Sequence, residues 1–313
     1  MTSKTYLRHV FLYVFVTTFS FVGINFTLND FGLFRDRDAI RIWTEEKTSK
    51  YLFSYEYIPK NFEGVLIGPS VSANVDTKNI QHFKIYNLSM VSANISELKF
   101  ALDNVLPSGR IKYLIICLYP YLTKDSGRKG RQIDEKEYWG SLFSLLPLKL
   151  LYGKINSIVR PELDVFHSSE WGFNDINLHT KHIIFREIVE QHRKEPGGTI
   201  RIDPVAYAEL QSVLQLAHEH KVQVLAYYFP LYVEFLRAYE KTGTWDLYQG
   251  KINRLFDSSD LVWDMNQPEF AYITDEYTSY SDGHLSSRGA HLVAQVIEQK
   301  LSALTLSEDS TEK

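Results

Sequence analysis

Residues 64–72, Gly64-Val65-Leu66-Ile67-Gly68-Pro69-Ser70-Val71-Ser72, decide the fold. A short apolar run stopped by Gly-Pro suits a parallel strand buried on both faces. The serine falls where such a strand would turn into a helix. Outward from this stretch the pattern repeats: Phe83–Leu88, Tyr113–Leu118 (YLIICL) and Val222–Tyr227 (VQVLAY) read as strands, with Leu261–Trp263 a weaker fifth. Helical spacing appears between them. Ile95, Leu98, Ala101, Leu102 and Val105 share one face. Asp203-Pro204 supplies an N-cap and first-turn proline for a helix with Val205, Leu210, Val213, Leu214 and Ala217 on one side. A last helix, Ser287–Leu304, carries Ala290, Val293, Ala294, Ile297 and Leu301 as a stripe. Short apolar strands alternating with amphipathic helices predict an α/β fold, a three-layer parallel sheet with helices on both faces. Such sheets bind ligands beyond the carboxyl ends of their strands, which points to the loops at Ser70, Ser89, Tyr119 and Pro230.

Residues 121–200 are less regular and read as an insertion, without an internal repeat. They hold a basic loop at Lys124–Arg131, a helix near Glu135–Tyr152, a turn at Trp171–Asp175, a helix near His179–His192 and a break at Glu195–Gly198. The expected division is an N-terminal transmembrane helix over 1–28, a juxtamembrane segment over 29–60 with a short helix around Ala39–Tyr51, the α/β domain over 61–306, and a disordered tail over 307–313.

The membrane expectation rests on Val10–Leu28, which contains no charge and follows Lys4 and Arg8. As a helix it would measure about 28 Å, close to a bilayer's hydrocarbon thickness. Basic residues ahead of the span place the N-terminus in the cytoplasm and the rest outside. A cleaved signal peptide is the alternative; no small-x-small site is evident after Phe21, which favours an uncleaved single-pass anchor in a bacterial inner (cytoplasmic) membrane, with a periplasmic or extracellular domain.

Composition excludes several classes. With 34 Lys and Arg against 38 Asp and Glu, the net charge of −4 leaves no basic footprint for nucleic acid. The single cysteine, Cys117, rules out an internal disulfide framework and a CxxC zinc site, and its place in an apolar strand makes it packing. His179-x-x-His182 and His218-Glu219-His220 lack an evident third ligand, so no metal is expected, and no nucleotide-binding glycine pattern occurs.

Two loops carry side chains suited to chemistry. Ser70 by itself reads more readily as a plain helix cap. Tyr280-Ser281-Asp282-Gly283-His284-Leu285-Ser286 precedes the last helix; alone it reads equally as a surface turn. Together they offer a nucleophile, a base and a group that fixes the base's tautomer. In this combination the chain resembles the SGNH, or GDSL-type, hydrolase superfamily. Gly68-Pro69-Ser70 is similar to its nucleophile block, and Asp282 to Gly289 (DGHLSSRG) to its Asp-His block; Asn87-Leu88-Ser89 is similar to its oxyanion block. Pro69 and Ser89 replace that family's Asp and Gly, Asp282 stands two residues before His284 instead of three, and the family's G-x-N-D block is missing after the third strand. A literal Gly172-Phe173-Asn174-Asp175 occurs in the insertion.

The resemblance implies Ser70 as nucleophile, His284 as base and Asp282 as orienting acid, with Asp264, Asp275 or Glu276 as substitutes for the last. Oxyanion groups would come from Ser70, Ser89 and Asn174. Ser72 is the weaker nucleophile candidate. The layout is similar to membrane-anchored accessory proteins of surface-polysaccharide O-acylation. The expected activity is thus a serine esterase or O-acyltransferase acting on a surface polysaccharide or other acyl-bearing glycan, without a cofactor and with a membrane acyl-donor protein as a further partner. Tyr119, Trp171 and Tyr228 are candidate sugar-stacking residues, and core packing is the alternative for each. A catalytically inactive glycan-binding or assembly scaffold and an anchored lipid esterase stay open beside it. The near-neutral charge favours a neutral or modestly charged glycan.

Overall fold

A computed structural model of the chain describes residues 3–28, 46–124, 135–145, 148, 151–152, 155–156, 159, 170–174, 182–194 and 199–311. The elements in chain order are α1 (Ser3–Leu28), α2 (Glu46–Tyr55), α3 (Tyr57–Asn61), β1 (Gly64–Ile67), α4 (Ser70–Ala73), β2 (Ile85–Asn87), α5 (Ile95–Val105), β3 (Tyr113–Leu118), α6 (Glu135–Gly140), α7 (His182–Lys194), α8 (Pro204–Glu219), β4 (Gln223–Tyr228), α9 (Val233–Lys241), α10 (Thr244–Ile252), β5 (Leu261–Asp264), α11 (Ala271–Thr274) and α12 (Ser287–Thr311).

All five strands are parallel, in the order β2-β1-β3-β4-β5. The expected three-layer α/β architecture is the one observed. β1 is buried along its whole length because helices cover both faces, and each buried Val, Leu or Ile there contributes about 1.5–3 kcal/mol. From β1 the chain steps to β2 on one side and then crosses to β3 on the other. The crevice at this reversal lies at the carboxyl ends of β1 and β3, where a doubly wound sheet takes its ligands. Ser70 leaves the sheet there.

Several boundaries differ from the sequence expectations. The segment upstream of β1 joins the α/β body: α2 buries Ser49, Lys50, Tyr51, Leu52, Phe53 and Ser54, whereas a juxtamembrane stretch was expected. Residues 39–45 of the expected helix lie outside the described residues. Val205 is exposed because Ala206 takes its place on the core face of α8. α9 and α10 fill the connection from β4 to β5, which the apolar spacing did not reveal. α12 continues to Thr311, past the expected end at Leu304 and into the expected tail. All five residues of its expected stripe are buried. The Lys124–Arg131 loop beyond Lys124, and His179, lie outside the described residues.

α1 is the one described helix long and apolar enough to cross a membrane, and its window is only 6% buried. Near its end Asn25 donates from Nδ2 to the carbonyls of Leu142 and Ser144.

Candidate active site

α4 starts directly at the end of the turn after β1, so Ser70 is its first residue. Gly68 makes this turn possible. A Cβ there would lie 2.7 Å from the Cys117 Cβ of β3, and closer still to the Ser72 hydroxyl. The helix is held from three sides. Asn87 donates to the carbonyls of Ser72 (2.8 Å) and Val75 (2.9 Å), Asn74 donates to the carbonyl of Leu285, and the Asn174 N–H donates to the carbonyl of Ala73 (2.9 Å).

The loop ahead of α12 brings in the partner groups. Tyr280 and Leu285 form an antiparallel bridge, and the Ser281 N–H meets the His284 carbonyl at 3.0 Å. Gly283 closes this turn at φ 91, in the left-handed region where a side chain would be strained. Ser286 fixes the exit, accepting from the Gly289 N–H at the start of α12 and donating to the Thr278 carbonyl. Between these ties His284 is aimed at α4.

Ser70 Oγ lies 3.0 Å from His284 Nε2, and His284 Nδ1 lies 2.8 Å from Asp282 Oδ1. With the ring proton on Nδ1, the histidine donates to the carboxylate and accepts from the serine hydroxyl. The two-residue spacing of Asp282 from His284 is bridged by the tight Gly283 turn. Burial would raise the Asp282 carboxyl, but its hydrogen bond and Coulombic attraction to His284 outweigh this and hold it below the ordinary carboxylate value. The three substitutes are engaged elsewhere. Asp264 accepts from Gln249, Asn266 and Gln267, Asp275 from the Thr274 hydroxyl, and Glu276 lies 3.7 Å from Arg288.

Ser72 is fully buried, with its hydroxyl within hydrogen-bond reach of Ser89 Oγ (2.9 Å) and of the Pro69 carbonyl (3.0 Å), so it is structural. The oxyanion groups are arranged differently from the expectation. Among the described residues the Ser70 N–H has no acceptor, as suits the orphan donor of a helix's first turn. The Ser89 N–H is taken by Asn87 Oδ1 at 3.0 Å. Asn174 does reach the neighbourhood of α4, but its side-chain amide donates to Glu46 Oε1 at 3.1 Å. Of the three expected donors, only Ser70 offers a free one.

Glu46 and Lys50 were missed by the sequence reading. Lys50 is completely buried; its Nζ donates to Glu46 Oε1 (3.0 Å) and to the Ser89 carbonyl. Glu46 also accepts from the Val91 N–H at 3.0 Å. Burial lowers the Lys50 pKa while Glu46 pulls it back. This pair pins residues 89–91 from the far side of the loop. A lysine inside the run Lys50-Tyr51-Leu52-Phe53 carries no signal of a partner some forty residues away.

The aromatic candidates part company. Tyr228 is 2% exposed, its ring packed on Trp245 and Tyr248 and its phenol donating to Asn253 Oδ1, so neither face is open to a sugar. Trp171 packs edge-on against Phe62 at 5.1 Å, and its carbonyl accepts from the Asn87 N–H. Tyr119 is half-buried at the end of β3, beside an open hollow. His218 meets Asp260 at 2.8 Å and Asp257 at 3.6 Å, where the sequence showed no further ligand; Asp260 also caps the Asp257 N–H, so the group is satisfied by its own members.

No family model and no curated protein matches the chain. Among solved structures, one described as a candidate platelet activating factor from Streptococcus pneumonia is similar, at 12% identity over 82% of this chain and 91% of that one, with a TM-score of 0.45. The likeness is one of outline only and bears on no residue.

Proposed function

We propose that the protein is an SGNH-type serine acyl-transfer enzyme, anchored by α1 with its α/β domain outside the membrane, acting on ester groups of a surface polysaccharide. The observation that carries this reading is the line Ser70 Oγ–His284 Nε2–Asp282 Oδ1, with successive distances of 3.0 and 2.8 Å. Ser70 attacks the acyl carbonyl and gives its proton to His284 Nε2. Asp282 holds the imidazole and stabilises the imidazolium that forms. The Ser70 N–H faces the developing oxyanion. His284 then protonates the departing alcohol oxygen as the tetrahedral adduct collapses to an acyl-Ser70 ester. A sugar hydroxyl or a water, deprotonated by His284, completes transfer or hydrolysis.

The test is labelling of the full chain in detergent with a fluorophosphonate probe, alongside turnover of an aryl acetate. Wild type labels at Ser70, and Ser70→Ala loses both labelling and turnover with an unchanged melting temperature. A folded wild-type chain that never labels sinks the reading. That outcome would favour the second one, a glycan-binding scaffold, which draws its support from the occupied Ser89 and Asn174 donors.

A further inference from the structure

At the carboxyl end of β3 lies a hollow of about 520 Å³ with an unusual balance of charge. Its walls come from residues 119–124 and 199–201, tied together by the Asp203 N–H on the Thr123 carbonyl at 2.9 Å, and from Tyr239 on α9. Tyr119, Tyr121 and Tyr239 are half-buried and line it, the Tyr119 ring also meeting Phe229 and the Tyr239 ring Trp245. Two cations, Lys124 and Arg201, stand in the same wall, and among the described residues no carboxylate does. Lys124 Nζ lies 5.8 Å from the Tyr121 ring centroid, and among the described residues neither cation has an ion-pair partner. In a chain carrying a net charge of −4, a hollow whose described lining holds two cations and no anion is a local inversion.

Its position relates it to the nucleophile. β1 and β3 are neighbours, and Ile67 pairs with Ile116. Ser70 follows Ile67 by three residues, and Tyr119 follows Ile116 by three. β1 ends at Ile67 while β3 runs on to Leu118, so the Ser70 turn and the Tyr119 loop leave neighbouring strands at the same carboxyl edge of the sheet, the Tyr119 loop two residues further out.

We propose that this hollow is a subsite for a carboxylate-bearing sugar, such as a uronic acid unit, of the polymer acylated or deacylated at Ser70. The inference rests on the function proposed above and narrows its substrate from glycans in general to acidic ones. Tyrosine faces suit the apolar faces of a pyranose ring, and a guanidinium with an ammonium suits the carboxylate on it. A polyol phosphate chain would satisfy the cations and make no use of the tyrosine lining, which is why the sugar acid is favoured. The net charge of the whole chain pointed to a neutral glycan; the local charge here points the other way.

The experiment measures calorimetric binding of hexagalacturonate, maltohexaose and a short poly(glycerol phosphate) to the full chain in detergent. Wild type, Arg201→Gln with Lys124→Gln, and Ser70→Ala are compared. The expected result is hexagalacturonate binding that weakens with salt, falls about tenfold or more in the double variant, and persists in Ser70→Ala. Maltohexaose should bind at least tenfold more weakly. Equal binding of maltohexaose, stronger binding of the phosphate polymer, no hexagalacturonate binding, or an unaffected double variant overturns the inference. Both cations are exposed, so the double variant should keep the wild-type melting temperature and fluorophosphonate labelling. Labelling without sugar-acid binding removes the subsite and keeps the enzyme. Sugar-acid binding without labelling removes the enzyme and keeps the subsite.

Discussion

Two corners of the same sheet edge hold a carboxylate in a polar setting, one beside α4 and one at the end of β5. At the first, Asp282 and His284 are each about one-fifth exposed at the side chain, and their hydrogen bonds form a line that ends on a hydroxyl. At the second, Asp264 accepts from Gln249, from the Asn266 backbone and side chain, and from Gln267, beside a hollow of about 400 Å³. Its donors are amides that neither gain nor lose a proton near neutral pH. The first corner contains a hydroxyl, an imidazole and an unused N–H, so a proton can move and a new negative charge can be received. The second is saturated and can only hold its loop. A carboxylate at the end of a parallel strand is therefore no guide to chemistry until its partners are known.

The strongest way to break this contrast is to remove proton acceptance. His284→Ala should lower turnover and labelling by about 10³–10⁴-fold, with Asp282→Asn falling about 10²–10⁴-fold, while both variants stay folded. If either variant keeps more than a tenth of wild-type labelling, the line is not a relay. The next effect is structural. Lys50→Ala leaves the Glu46 carboxylate without its buried cation and should destabilise the chain by about 3–5 kcal/mol in a denaturant melt, with the paired change Glu46→Gln and Lys50→Met recovering part of the loss. A wild-type melt for Lys50→Ala would show that the loop over 89–91 needs no such support.

The smaller tests address the carboxylates themselves. Asp264→Asn should cost about 1–2 kcal/mol of stability and leave labelling unchanged, since only fixed donors lose their acceptor. Asp282 should instead reveal itself through pH. Its native pKa lies below the ordinary aspartate value of about 3.9, so the unfolded chain binds the proton more readily. Its contribution to stability is present above that value and fades as pH falls through it toward the lower native value. Asp282→Asn should flatten the stability–pH curve in that acid window, whereas Asp264→Asn is the comparison for any general acid effect. Identical acid limbs for wild type and Asp282→Asn would contradict the depressed pKa.

What could be read in advance follows from how far each signal travels along the chain. β1, β3, β4 and the faces of α5 and α12 are written in local apolar spacing, and the core uses them as written. The Ser70 and His284 loops could be paired because each stands at a recognisable strand or helix boundary. The Glu46–Lys50 pair has the i,i+4 spacing of a helical ion pair, but its hold on residues 89–91, the diversion of Asn174 to Glu46 and the occupation of the Ser89 N–H depend on partners set by tertiary packing, and no spacing encodes them. Tyr228 illustrates the same limit for aromatics, since stacking on a sugar and packing on Trp245 look alike in a sequence. α9 and α10 are nine residues each, shorter than the window of about eleven or more residues over which a helical spacing is read.

The separation of 214 positions between Ser70 and His284 imposes an order in time. α4 can fold against β1, β2 and β3 early, yet the imidazole reaches it only after β4, β5 and the loop before α12 have been made and docked. Contacts of such separation close late, since the intervening chain must be ordered first. A partly synthesised or partly translocated chain would thus carry a complete serine turn with no base beside it. The nucleophile would stay silent until nearly the last helix is in place.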